Sequence, residues 1–72
     1  MMETGEHMRR VRLERGWNQA TLSKKSGVPL RSIENYELGS NAPGLTNLLA
    51  LADALGVGID EYIGRKTGGK KR

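Results

Sequence analysis

Asn18-Gln19-Ala20-Thr21-Leu22-Ser23-Lys24-Lys25-Ser26-Gly27-Val28-Pro29-Leu30-Arg31-Ser32-Ile33-Glu34-Asn35-Tyr36-Glu37-Leu38-Gly39 is the stretch whose reading decides the fold. Asn18 is a good N-cap, because its side-chain oxygen can accept an amide hydrogen that the first helical turn leaves unpaired. A helix from Gln19 to Ser26 follows, with Leu22 and Ser23 facing inward. Gly27 closes it in the left-handed conformation, which a residue without a Cβ adopts at no steric penalty. The next helix runs from Leu30 to Leu38 and stops at Gly39. Pro29 is tolerated at its start, where no amide partner is needed. Ile33 and Tyr36 give this helix its buried side. Leu22, Val28 and Ile33 then lock the two helices at a fixed angle, so the outward residues of the second project as a rigid probe.

On the N-terminal side, Met8, Val11, Arg12 and Arg15 fall at helical spacing and predict a helix over Glu6–Arg15, with Thr4 as a candidate N-cap and Gly16 as its stop. Trp17 follows at a corner between helices and reads as core filler rather than a stacking platform. On the C-terminal side, Ser40 to Gly44 is a loop. Leu45, Leu48, Leu51, Ala52 and Leu55 form an apolar stripe that predicts a helix over Leu45–Leu55. Gly56 stops it. A short fifth helix is expected over Ile59–Ile63, anchored by Ile59, Tyr62 and Ile63, with Gly58 and Glu61 at capping-box positions. No segment alternates with a period of two, so no sheet is expected. The predicted fold class is all-α: a compact five-helix bundle with two central helices across a tight turn. Residues 6–64 would form the domain. A flexible N-terminus, residues 1–5, would precede it. Residues 65–72 carry five bases and no apolar side chain, and read as a disordered basic tail.

Length and composition narrow the function. Seventy-two residues hold one domain with a modest core. The absence of Cys excludes disulfides and thiolate zinc sites, and a single His (His7) builds no metal cage, so no cofactor or metal is expected. Absent cysteines fit a reducing cytoplasm. No apolar run approaches the ~20 residues of a membrane span. No Ser-His-Asp arrangement is available, and Gly68-Gly69-Lys70 is too short and follows no strand, so an enzyme is not expected. The net charge is +4, but five of the 12 bases lie in the last eight positions; the remaining seven face all eight acids. From Glu6 to Asn41 there are seven bases and four acids, and from Ala42 to Gly64 three acids and no base. That polarity is what a protein with one phosphate-facing side would show, and ordinary charge scatter would also produce it.

Two short helices joined by a glycine-containing turn make a helix-turn-helix, whose second helix lies in the major groove of DNA. The chain resembles the Cro/C1-type (XRE-like) helix-turn-helix family of phage-repressor-like transcriptional regulators. The matching pieces are RRVRLERGWNQATLSKKSGV, SIENYELGSNAP and LLALADALGVGIDEYI, which span Met8 to Ile63 in matching order and spacing.

The resemblance implies sequence-specific binding of double-stranded DNA as a transcriptional regulator, in the repressor manner. It implies base contacts from Leu30, Arg31, Ser32 and Asn35. Arg31 can donate to guanine O6 and N7, Asn35 can pair with an adenine edge, and Leu30 can touch only a thymine methyl or sugar. It implies phosphate contacts at Asn18, Gln19, Pro29, Gly39, Ser40 and Asn41, helped at Gln19 by the helix dipole. It also implies a structural, largely buried ion pair between Arg12 and Glu37. Two positions depart from the pattern. Pro29 stands where the family has Ser or Thr, and Leu30 where it has a polar residue, which shifts weight toward DNA shape. The loop Leu38-Gly39-Ser40-Asn41-Ala42 has no Lys or Arg, although its Gly39 and Ser40 amides can bond phosphate; a shallower salt dependence is expected. Relatives bind near-palindromic operators as homodimers, and Leu55, Val57, Ile59 and Tyr62 are expected near that dimer surface. The competing reading is a protein-interaction module, or an antitoxin component, that keeps the fold.

Overall fold

The polypeptide reverses after each helix at a glycine with positive φ: Gly16, Gly27, Gly39 and Gly56. The computed structural model describes residues 4–60. Among them are four helices: α1 (Thr4–Glu14), α2 (Gln19–Ser26), α3 (Leu30–Leu38) and α4 (Leu45–Leu55). The expectation of five helices is therefore met by four in the described residues. The fifth, over Ile59–Ile63, falls mostly beyond them, as does the basic tail.

The central pair matches its expected bounds to the residue, and the local chemistry shows why. Asn18 Oδ1 accepts from the Thr21 amide at 2.8 Å and caps α2. At the other end Gly27 sits at φ 79°, and its amide donates to Ser23 O at 2.8 Å. Two serines then fasten the turn. Ser23 Oγ donates to Val28 O at 2.6 Å, and Ser26 Oγ accepts from the Val28 amide at 3.1 Å. Pro29 precedes α3 with no side-chain cap. Replacing Asn18 with Ala should cost about 1 kcal/mol, the usual worth of an N-cap, read as a lower urea midpoint at unchanged m-value. An unchanged midpoint would show that the cap contributes nothing to folding.

Met8, Val11, Leu22, Val28, Ile33, Tyr36, Leu51 and Leu55 form one buried cluster, with Trp17, Ala50, Ala54 and Val57 packed against it. All four helices contribute. The Tyr36 hydroxyl accepts from Asn47 Nδ2 at 2.9 Å and ties α3 to α4. Trp17 is partly buried core filler, as expected, and Lys25 Nζ lies 5.0 Å above its ring.

Several expectations need correction. α1 includes Thr4 and Gly5 ahead of the expected start at Glu6, so Thr4 is helical rather than a cap. The reason is close packing. A Cβ at Gly5 would lie 2.0 Å from Tyr36 O, so only glycine lets α1 rest directly on the backbone of α3. α1 ends at Glu14 rather than Arg15, and Arg15 is exposed, with its guanidinium near Gly56 at the end of α4, where the helix dipole favours a cation. Leu45 is 66% exposed, because the buried face of α4 starts one turn later, at Leu48. Leu55 has no exposed surface and belongs to the core, so it cannot line a dimer contact; Val57 and Ile59 are half-buried. No helix of the described residues is long and apolar enough to cross a membrane.

Candidate nucleic-acid interface

α3 carries the candidate site. Ile33 and Tyr36 anchor its inner side in the core, with Ile33 fully buried. At roughly 100° per residue, Arg31, Glu34, Asn35 and Leu38 share the opposite arc. Arg31 stands furthest into solvent, with 85% of its side chain exposed. Leu30 and Leu38 are exposed at 39% and 78%. Ser32 and Asn35 are half-buried at the margins of the arc. The four residues expected to touch bases thus lie on one helix, with Arg31 foremost.

The expected ion pair is present and is bidentate. Arg12 Nε donates to Glu37 Oε2 and Nη2 to Glu37 Oε1, both at 2.8 Å. The side chains are only 7% and 4% exposed. Hydrogen bonding to Glu37 raises the Arg12 pKa above its ordinary value; burial opposes the shift and the Glu37 charge reinforces it. Arg12 Nη1 also donates to Trp17 O at 2.9 Å, fastening the corner between α1 and α2.

This pair reaches the expected phosphate-binding residues. Gln19 Nε2 donates to Glu37 Oε1 at 3.0 Å. The buried pair therefore fixes the Gln19 amide at the start of α2, where exposed backbone amides favour an anion. Asn18 is exposed beside it, its Oδ1 engaged in the cap.

The loop after α3 differs from expectation. The Gly39 amide donates to Tyr36 O at 3.1 Å, and the Ser40 amide to Asn35 O at 3.0 Å. These amides close the C-terminus of α3 and are not idle phosphate donors. Asn41 N also points to Asn35 O, at 3.4 Å. What remains for phosphate is the Ser40 hydroxyl and the Asn41 carboxamide, both exposed. Pro29 is exposed and offers no donor.

Two residues outside the sequence expectations also shape this face. Gly5 shows its importance only through contact with α3. Glu34 was legible: it lies three positions after Arg31, one turn along the same face.

A buried scaffold and a projecting, solvent-exposed α3 define a helix-turn-helix domain. Comparison with known proteins agrees. The helix-turn-helix family model matches residues 8–62. The chain belongs to the helix-turn-helix family, of Cro/C1 type. It is 43% identical over 47 residues to the cryptic phage CTXphi transcriptional repressor RstR of Vibrio cholerae, a match covering 65% of this chain and 42% of that repressor. The chain thus spans less than half the length of that curated relative. Among solved structures it resembles the P22 c2 repressor protein in complex with a synthetic operator, with a TM-score of 0.79 and 34% identity, covering 86% of this chain and 94% of that one. It also resembles the restriction-modification controller protein C.AhdI from Aeromonas hydrophila, with a TM-score of 0.76 and 33% identity, covering 81% and 88%.

Proposed function

We propose that this chain is the DNA-binding module of a transcriptional regulator, acting as a repressor, that places α3 in the major groove of double-stranded DNA. The observation that carries this reading is the division of α3 into a core-locked inner side and an outer face led by Arg31. Leu30, Arg31, Ser32 and Asn35 meet base edges. Asn18, Gln19, Ser40 and Asn41 bond phosphates from either side, and Pro29 packs against the backbone. The similarity to a repressor solved in complex with an operator supports DNA as the partner. Two copies bind a near-palindromic site, with half-sites about one turn (~34 Å) apart. The protein acts in the cytoplasm without catalysis.

Titration of a labelled duplex at low and high salt tests the proposal. Binding should weaken with salt, because each phosphate neutralised releases counterions. The slope should be shallow, since the loop after α3 brings no base. Replacing Arg31 with Ala should weaken the preferred site by about tenfold, one good base contact, while leaving random duplex less affected. No binding to any duplex at low salt would end this reading. That result would select the alternative, a protein-interaction module, which exposed Leu30 and Leu38 on the same face would serve.

A further inference from the structure

The exposed face of α3 is electrically neutral. Its three charged residues are Arg31, Glu34 and Glu37, and Glu37 is buried against Arg12. That leaves one cation and one anion facing outward. They are neighbours: Arg31 Nε lies 3.9 Å from Glu34 Oε1, and the Glu34 side chain is 44% exposed. Glu34 also borders a shallow groove of about 320 Å³ shared with Arg9 and Gln19. A carboxylate at this position approaches any duplex that α3 enters. Unpaired, it would be repelled by the phosphates; beside Arg31 it enters as half of a neutral pair.

Building on the proposed docking of α3, we propose that Glu34 is a specificity-determining residue and that Arg31 and Glu34 together read G·C base pairs. Arg31 donates to guanine O6 and N7. Glu34, an acceptor only, takes a hydrogen from cytosine N4 in the adjacent base pair. The chemistry of the major groove supports that choice. Guanine and thymine present acceptors there, which a carboxylate repels. Adenine sets its N7 acceptor beside its N6 donor. Cytosine presents a donor without such an acceptor. The lateral pair also orients both side chains before binding. As an exposed pair it adds little to folding, so it can open at little cost when the bases take over.

The test is a panel of duplexes in which each base pair of the preferred site is changed in turn to the other three, titrated with wild type, Glu34→Gln and Glu34→Ala. Wild type should prefer cytosine at one position by about tenfold, and Glu34→Ala should reduce that preference to about twofold or less. Glu34→Gln should move it toward adenine, whose N6 and N7 suit a carboxamide. Unchanged helical circular dichroism would confirm that both variants are folded. If both variants bind every duplex more tightly by one common factor, with base preference unchanged, Glu34 only repels phosphate and the inference is wrong. Wild-type protein that binds no duplex at all would instead overturn the docking itself, a separate and recognisable outcome.

Discussion

Replacing Arg12 with Ala is expected to remove about 3–5 kcal/mol of folding stability, because it leaves a buried carboxylate without its cation. For a domain of this size that is a fall in melting temperature of more than about 12 °C. Among the described residues, Glu37 would keep a single side-chain partner, Gln19, which is neutral. Trp17 O would lose its donor at the α1–α2 corner. The Arg12→Ala, Glu37→Ala double variant should lose much less than the sum of the single losses, since removing both charges leaves no buried ion unpaired. A loss below about 1 kcal/mol for Arg12→Ala would mean the pair behaves like an exposed one, despite its burial. No pH change in the usual range substitutes for this mutation. A base whose pKa is raised in the folded state stabilises below its unfolded pKa and loses that contribution only as pH climbs through the higher, folded value. For Arg12 that window lies above the ordinary arginine value, at strongly alkaline pH.

The Arg12 variant should also affect binding. Glu37 holds Gln19 by a direct hydrogen bond, so loosening the pair frees the Gln19 amide at the start of α2. Stability and phosphate contact are thereby joined through one carboxylate.

Gly5→Ala decides between two opposing effects. Helix propensity alone favours Ala over Gly by about 1 kcal/mol. Packing opposes it, since the new Cβ would sit 2.0 Å from Tyr36 O and 3.2 Å from Glu37 Cα. Both are backbone atoms and cannot rotate aside. The first turn of α1 must therefore lift from α3, or α3 must shift. The expected result is a net loss of about 1–3 kcal/mol, typical of overpacking, with a lower urea midpoint. A gain in stability would show that α1 does not rest on α3 at this point. Because Gly39 and Ser40 close α3 immediately beyond Tyr36, the same variant should also weaken duplex binding at equal folded concentration.

Much of this protein is legible in its residue order. The bounds of α2, α3 and α4 follow from local signals: an Asn cap, terminal glycines and apolar spacing. Such signals act within one or two turns of chain, so they survive without knowledge of the fold. The positions of Arg31 and Asn35 on the outer face follow equally from helical period. The Arg12–Glu37 pair is implied only by resemblance to a family, since two residues separated by 25 positions carry no local sign of their meeting.

What only tertiary structure decided depends on contacts between segments far apart in the chain. Gly5 looks like a helix breaker until α3 is laid across it. Leu45 belongs to an apolar stripe, but its neighbours cover the helix only from Leu48 onward. The Gly39 and Ser40 amides look available until they are seen to close α3, and Gln19 looks free until Glu37 claims one of its hydrogens. Helical period and end signals are properties of a short length of backbone. Burial and the choice of hydrogen-bond partner are properties of the space that several lengths enclose together.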